Sequence, residues 1–208
     1  MTKTVVVLAG GPDGPAGVAL PPGATVIAAD SGAELGGPVD LLVGDMDSIS
    51  AERLAGITQV ERHATEKDAT DLELALTAAL RLEPERILVL GSAGGRLDHL
   101  LGSLLILAAD AYAGVQVDAQ IGAAAVHVVR SERTLRGEPG DLISLFAVHG
   151  PAGGVITEGL VYPLRSETLE LGSSRGLSNI FAAPEAWIGL ERGVLLAVRP
   201  SGSATATD

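Results

Sequence analysis

The order of apolar segments in the first half of the chain constrains the fold most. Short continuous apolar runs alternate there with segments of helical periodicity, and these runs lie at 4–8, 24–29, 40–43, 87–90 and 115–121. Continuous Val-, Ile- and Leu-rich runs are typical of strands buried on both faces. Strands that alternate with helices form a parallel sheet covered by helices. We therefore predict a three-layer α/β domain with a mostly parallel sheet over residues 1–122.

Two segments between these runs are predicted to be helices. Residues 70–82 begin with Thr70 and Glu73 at the spacing of a capping box, and apolar residues then recur every three or four positions. Residues 97–113 are apolar nearly all round and are followed by Gly114. That composition predicts a buried helix that ends at the glycine.

After about residue 122 the helical periodicity disappears. Short β-like runs alternate with turns rich in glycine and proline, and they lie at 126–129, 142–146, 154–157, 166–171, 187–190 and 194–198. This texture is typical of antiparallel sheets. We predict an antiparallel β-sandwich over residues 123–200. Residues 201–208 are small and polar, which predicts a disordered tail.

Composition excludes several classes of protein. The net charge of −12, without a basic stripe, argues against nucleic acid as a partner. The absence of cysteine excludes disulfides and thiolate catalysis. The longest apolar stretch, at 100–109, is too short to span a bilayer, so we expect no membrane association and a cytoplasmic protein. An acidic chain can still bind ATP with Mg²⁺, and it favours a cationic small substrate.

Acidic residues follow the predicted strands. Asp30, Asp45 and Asp47 come directly after two of the runs, and Asp98 follows a glycine-rich loop after a third. The carboxyl ends of parallel strands meet at one edge of a sheet, where ligands bind. Converging carboxylates require a cation, and hard oxygen ligands suit Mg²⁺, which usually accompanies phosphates. The pattern indicates phosphoryl-type chemistry, although the loop at 44–48 taken alone is equally typical of a turn that caps the next helix.

A second acidic segment, Lys67–Asp71, precedes the clearest predicted helix. Asp68 and Asp71 are compatible with simple helix capping, and a helix N-terminus also attracts phosphate. Lys67 is one of only two lysines in the chain. A lysine among acids can bridge carboxylates and phosphate oxygens, which favours a functional role.

The glycine-rich loop at 91–99 joins a predicted strand to a predicted helix. Its three glycines leave backbone N–H groups free to approach an anion. Arg96 is suited to bind a phosphate through two N–H groups, and Asp98 to bind a metal or orient a hydroxyl. The alternative is a turn with Asp98 as a helix cap, and His99 alone is more often structural. The loop lacks the Gly-Lys-Ser/Thr of a Walker A motif.

Two further turns carry weaker signals. Gly10 and Gly11 follow the first strand, but the full dinucleotide-binding fingerprint is absent, which argues against NAD. Ser178 and Asn179 lie in a polar cluster between two β-like runs. They could form hydrogen bonds to a ligand, or the cluster could be a plain turn.

In their order and spacing these motifs resemble the thiamine pyrophosphokinase family. The matching segments are 30–32, 44–48, 68–71, 94–99, 159–164 and 176–179, and the resemblance covers roughly residues 4–199. Two positions depart from the family pattern: Ser31 replaces the usual glycine, and Glu66 stands where the family often has aspartate.

The resemblance implies a catalytic α/β domain with a Mg–ATP site and a β-sandwich for thiamine binding and dimerisation. It implies a homodimer with active sites at the subunit interface. The implied activity is that of thiamine diphosphokinase (EC 2.7.6.2), which transfers the pyrophosphoryl group of ATP to the hydroxyl of thiamine and gives thiamine diphosphate and AMP. Mg²⁺ is the implied cofactor, with ATP as co-substrate.

The resemblance also implies residue roles. The acids assigned to metal binding or catalysis are Asp45, Asp47, Asp71 and Asp98. The residues assigned to ATP, metal support or thiamine are Asp30, Lys67, Asp68, Arg96, His99, Ser178 and Asn179. The first three acids are expected to hold Mg²⁺, and Asp98 is expected to contact thiamine and help its hydroxyl lose a proton. Lys67 and Arg96 are expected to neutralise phosphates. Ser178 and Asn179 are expected to reach the neighbouring subunit's site.

Other functions remain open at this point. A Mg²⁺-dependent phosphohydrolase or nucleotidyltransferase could use the same acids, and it would cleave nucleotide without thiamine. A non-catalytic nucleotide- or cation-binding protein would bind without turnover. A family member could also have drifted to another aminoalcohol or a pterin.

Overall fold

The computed structural model describes residues 2–12, 14, 19–202 and 204. The first half forms six parallel strands in the order β4-β3-β2-β1-β5-β6. Their bounds are β1 Thr4–Gly10, β2 Thr25–Ala29, β3 Leu41–Gly44, β4 Val60–Arg62, β5 Arg86–Gly91 and β6 Gln116–Ile121. The helices are α1 Ala51–Ala55, α2 Asp71–Leu80 and α3 Leu97–Leu107, with 3₁₀ turns at Asp30–Leu35 and Asp110–Tyr112.

Strand β1 shows why the first half has three layers. Val5 and Val7 belong to one apolar cluster, which includes Leu76 of α2, whereas Val6 and Leu8 belong to a second cluster on the opposite face. Successive side chains of a strand point to opposite faces, so a run that is apolar at every position needs cover on both sides. The predicted parallel sheet is confirmed.

The second half is antiparallel. The strands are β7 Ala124–Val129, β8 Glu132–Arg136, β9 Leu142–Glu158, β10 Arg165–Leu169, β11 Asn179–Ile180, β12 Glu185–Gly189 and β13 Arg192–Arg199. The sheet order continues from β6 as β7-β13-β9-β12-β8, with β10 and β11 also paired to β9. Its core includes Leu135, Leu145, Phe181, Ile188 and Leu195. The predicted fold class, parallel α/β followed by antiparallel β, is confirmed.

Several element predictions need correction. The runs at 142–146 and 154–157 belong to one long strand, β9, which continues through the glycines between them. The first part of β9 pairs with β13, and its last part pairs with β12. The short elements β4, β8, β11 and α1 were not predicted, since mixed polar segments of two to five residues carry little periodic signal.

The predicted helix at 97–113 differs most from the structure. It ends at Leu107 and is not buried all round, because Leu97, Leu101 and Leu105 are 77%, 57% and 40% exposed. Helix α3 covers the sheet with Leu100 and Leu104, while the three exposed leucines lie on its outer face. Among the described residues, no helix is long and apolar enough to cross a membrane.

A buried cluster of charges lies where β5, β6, β7 and β8 meet. Asp118 is completely buried, and its carboxylate lies 2.7 Å from Arg86 Nε, 2.7 Å from Arg133 Nη2 and 2.9 Å from His127 Nδ1. Burial alone would raise the pKa of Asp118, but the hydrogen bond from His127 and the charge of Arg133 lower it well below its usual value. The cluster joins strands on both sides of residue 122.

Part of the C-terminal segment packs against this cluster. Ala204 is buried, its N–H donates to Gln120 Oε1 at 2.8 Å, and its carbonyl accepts a hydrogen bond from Arg86. Of the predicted disordered tail at 201–208, residues 203 and 205–208 lie outside the described residues.

Candidate active site

A cleft of about 660 Å³ lies at the carboxyl ends of the parallel strands. It is bounded by the loops that follow β1 and β5. These two strands are neighbours in the sheet, but the chain passes from β1 to β2 on one side of the pair and from β5 to β6 on the other side. Ligands of open α/β sheets bind at such a reversal of strand order, because the loops there separate and leave a crevice. The glycine-rich loops at 9–11 and 91–95 therefore flank the cleft.

Three carboxylates converge in this cleft. Asp30 begins the turn after β2, while Asp45 and Asp47 follow β3, and one carboxylate oxygen of each lies within 4.8 Å of the others. Asp30 is 6% exposed, and its Oδ1 has no hydrogen-bond partner among the described residues. An unpaired buried oxygen beside two further carboxylates suits a cation that accepts hard oxygen ligands. These residues fit Mg²⁺.

Burial also affects the charge of Asp30. It raises the pKa of the carboxyl above its usual value, and the neighbouring charges of Asp71 and Asp45 add to this, while hydrogen bonds from Ser48 and Ser31 oppose it. A bound divalent cation would favour the ionised form. The electrostatics of Asp30 therefore agree with a site that is completed by positive charge.

Glycines let the backbone approach these acids. Gly44 has φ 146°, and a Cβ there would lie 2.8 Å from Asp71 Oδ1 and 3.0 Å from the Cβ of Asp30. A Cβ on Gly32 would lie 2.0 Å from the carbonyl oxygen of Leu8. Ser31 replaces the glycine of the family pattern, but it is absent from the residues with positive φ in the described chain. The tight position in this loop is therefore Gly32, and Ser31 fits without strain.

Lys67 lies between two of the acids. Its Nζ is 3.1 Å from Asp45 Oδ2 and 2.9 Å from Asp71 Oδ1. Partial burial works against the charge of Lys67, but the contacts with Asp71 and Asp45 raise its pKa above the usual value. The same contact is the main cause that lowers the pKa of Asp45. Asp71 thus faces Lys67, at the first residue of α2, where Thr70 Oγ1 accepts a hydrogen bond from the Glu73 N–H.

Arg96 and Asp98 form an exposed pair on the rim. Arg96 Nη2 lies 2.6 Å and Nε 3.2 Å from the two oxygens of Asp98. The hydrogen bond from Arg96 is the largest cause that lowers the pKa of Asp98 to about 2. Both residues line the cleft, as does His99. Either side chain can therefore leave this ion pair and contact a ligand in the cleft.

The remaining predicted residues lie elsewhere. Asp68 is exposed and does not line the cleft. Ser178 and Asn179 lie in the antiparallel second half and do not line the cleft of their own chain. Asn179 is buried, and its side chain holds the backbone of Tyr162, with Oδ1 3.0 Å from Tyr162 N and Nδ2 2.8 Å from Tyr162 O. Ser178 is exposed, with φ 54°.

One wall of the cleft was missed by sequence reasoning. Gly102, Ser103 and Ile106 of α3 line it together with His99. These four positions follow the spacing of one helix face, which was hidden because the segment was interpreted as apolar all round. Small residues on this face leave room for a ligand beside the sheet.

Two protein-family models match the sequence. The sequence matches the family model described as "Thiamin pyrophosphokinase, catalytic domain" over residues 22–117. It matches the model described as "Thiamin pyrophosphokinase, vitamin B1 binding domain" over residues 126–195. Together the two matches span well over half of the chain.

Individual relatives point the same way. The thiamine pyrophosphokinase of Bacillus subtilis (strain 168) is 28% identical over 170 residues, which cover 75% of this chain and 76% of the relative. The crystal structure of thiamine pyrophosphokinase from Bacillus subtilis superposes with a TM-score of 0.81 at 25% identity, covering 97% of this chain and 100% of that chain. The thiamin pyrophosphokinase of Candida albicans shares the fold, with a TM-score of 0.73 at 13% identity over 95% of this chain and 89% of that one.

Proposed function

Because the chain belongs to the thiamin pyrophosphokinase family, we propose that it transfers the pyrophosphoryl group of ATP to the hydroxyl of thiamine, giving thiamine diphosphate and AMP. The observation that carries this proposal is the convergence of Asp30, Asp45 and Asp47 with two glycine-rich loops in one cleft. The three acids and the loop at 91–95 lie within residues 22–117, which match the catalytic-domain model. We propose a cytoplasmic location, where ATP is abundant.

The reaction requires that the reacting groups are positioned and that the negative charge of the phosphates is neutralised. The hydroxyl oxygen of thiamine bonds to the β-phosphorus of ATP and loses its proton to water. The bond from that phosphorus to the oxygen bridging to the α-phosphorus breaks, and its electron pair leaves with AMP. Such a transfer depends on in-line placement of the oxygen atoms more than on covalent help from the protein. When bound, Mg²⁺ supplies positive charge to the phosphate oxygens.

We propose specific roles for the cleft residues. Asp30, Asp45 and Asp47 would hold Mg²⁺, with Asp71 close by, as their shared location and oxygen donors support. The backbone N–H groups of the two glycine-rich loops would face the phosphates.

The Arg96–Asp98 pair offers both charges that the substrates require. Arg96 would exchange Asp98 for a phosphate of ATP, to which its guanidinium can donate two hydrogen bonds. Asp98 is exposed, so its carboxyl is ionised at neutral pH and is a weak base even after Arg96 has turned to a phosphate. We therefore propose that it orients the thiamine hydroxyl by accepting its hydrogen bond, beside His99 on the cleft rim.

The proposal is tested by incubating the protein with Mg²⁺, ATP and thiamine and separating the products by chromatography. We expect AMP and thiamine diphosphate in equal amounts, formed only when thiamine is present. Nucleotide cleavage at the same rate without thiamine would instead support the hydrolase. Nucleotide binding with no turnover of any hydroxylated cation would support a binding protein.

We also propose a homodimer in which each active site uses two subunits. Ser178 and Asn179 belong to the segment matched to vitamin B1 binding, yet neither lines the cleft of its own chain. A second copy can bring Ser178 to that cleft, with Asn179 holding the backbone beside it. Asp68, which is exposed, is left with at most a supporting role in the acidic loop.

This arrangement predicts complementation between two inactive variants. Asp47→Asn and Ser178→Ala are each expected to have low activity, because each removes a different half of every site. When the two are unfolded, mixed and refolded together, about a quarter of wild-type activity should return, since random pairing gives half heterodimers with one intact site each. Each variant refolded alone is the control. A mixture no more active than its components, with dimers present by light scattering, would contradict a shared site.

A further inference from the structure

Lys67 is placed where it must interact with any cation bound by the acidic cluster. It lies on the loop between β4 and α2, and its side chain is 16% exposed. The ammonium contacts Asp45 and Asp71 at 3.1 and 2.9 Å. Asp45 is one of the three acids whose oxygens converge, so Lys67 and a divalent cation share a carboxylate.

Both oxygens of Asp45 are already used. Oδ2 accepts from Lys67, and Oδ1 accepts from the backbone N–H of Asp47 at 3.3 Å. A divalent cation that binds Asp45 therefore comes close to the Lys67 ammonium. The repulsion between the two positive charges weakens the binding of the cation. Asp45 can bind the ion at full strength only if Lys67 moves.

Bound ATP would attract the Lys67 ammonium away from Asp45. The phosphates bring several negative charges, and a lysine side chain is a flexible carrier of a point charge that can turn from a carboxylate to a phosphate oxygen. We propose that Lys67 is an exchangeable counter-ion, which disfavours a bare divalent cation at Asp45 and is drawn off by nucleotide phosphates. The site then takes up metal and nucleotide together. This inference rests on the proposed function, because it requires nucleotide in the same cleft.

The test measures metal binding rather than turnover. Mn²⁺ is titrated into nucleotide-free wild-type protein and into Lys67→Met and Lys67→Gln, and bound Mn²⁺ is followed by electron paramagnetic resonance. Both variants should bind Mn²⁺ about tenfold more tightly than wild type, because a neighbouring positive charge is removed. Lys3→Met is the matched control: Lys3 is exposed outside the cleft, and the substitution changes the net charge equally. It should bind Mn²⁺ as the wild type does.

The titrations are repeated with α,β-methylene-ATP, an analogue that the proposed reaction cannot cleave. In wild type the analogue should strongly increase the affinity for Mn²⁺. In both Lys67 variants the ratio of Mn²⁺ affinities with and without the analogue should be smaller than in wild type by about tenfold or more. Thermal unfolding shows whether each variant is folded. In the Lys67 variants, Mn²⁺ should restore the stability that is lost with the contacts of Lys67 to Asp45 and Asp71.

Bare Mn²⁺ binding that is unchanged or weaker in both folded Lys67 variants would overturn the inference. That outcome is separate from failure of the proposed function, which is judged from the products made by wild-type protein. A wild type that makes thiamine diphosphate, combined with Lys67 variants that bind bare Mn²⁺ no better, rejects the counter-ion alone.

Discussion

Asp47→Asn should lower the rate of thiamine-dependent AMP formation by about a hundredfold or more while leaving the protein folded. A metal ion contributes several kcal/mol of charge stabilisation to phosphoryl transfer, and each 1.4 kcal/mol or so is a factor of ten in rate. Asparagine keeps the shape of the side chain and can still accept the 2.7 Å hydrogen bond that Ser48 donates to Asp47 Oδ1. Asp47 is exposed, so the substitution leaves no buried group unpaired.

The measurement is a steady-state assay over a range of Mg²⁺ concentrations, with thermal unfolding of the same samples. Raised Mg²⁺ should restore part of the activity, because a weakened ligand set binds the ion less tightly. Asp110→Asn is the matched control, since Asp110 is almost fully exposed and lies outside the cleft. Full turnover of Asp47→Asn at every Mg²⁺ concentration would remove Asp47 from the metal site.

Asp118→Ala should lower the free energy of unfolding by about 3–5 kcal/mol at neutral pH, because removal of one partner leaves buried charges uncompensated. Arg86 and Arg133, which are 3% and 9% exposed, both form an ion pair with Asp118. In a chain of this size, that loss lowers the midpoint of thermal unfolding by about 10 °C. Asp110→Ala, at an exposed ion pair, should change stability by less than about 1 kcal/mol.

The pH dependence follows from the lowered pKa of Asp118. A carboxyl whose pKa is lower in the folded than in the unfolded state contributes stability that is fully present above its unfolded pKa and is lost as pH falls toward the folded pKa. The unfolded value is near 3.8, and the folded value lies well below it. Denaturant unfolding should therefore show a constant difference in the free energy of unfolding between wild type and Asp118→Ala above about pH 5. This difference should decrease below about pH 4. A difference that is small at neutral pH would contradict the role of the cluster.

The parts of the fold that sequence predicted are those with a strong periodic signal. The runs that became β1, β2, β3, β5 and β6 are continuous and apolar because both faces of each strand are covered. Helix α2 was recognisable from its cap and periodicity. Burial of α3 was wrongly predicted, because an apolar pattern does not tell which face meets the sheet and which meets solvent.

The site was predictable only in part. That Asp30, Asp45 and Asp47 lie together follows from parallel strands ending at one edge. The contacts of Lys67 with Asp71 and with Asp45 both depend on the path of the loop between β4 and α2, which no local pattern encodes. The Asp118 cluster could not be predicted, because its members come from four strands, and β8 pairs with β12 rather than with the other three.

The fate of the terminal phosphates tests the central claim most directly. Wild-type protein is given Mg²⁺, thiamine and ATP labelled with ³²P at the γ-phosphorus, and the products are separated. If the whole pyrophosphoryl group moves to the hydroxyl, the label should appear in thiamine diphosphate, with unlabelled AMP released in equal amount. Label recovered as free phosphate or pyrophosphate, or in thiamine monophosphate beside ADP, would contradict the account.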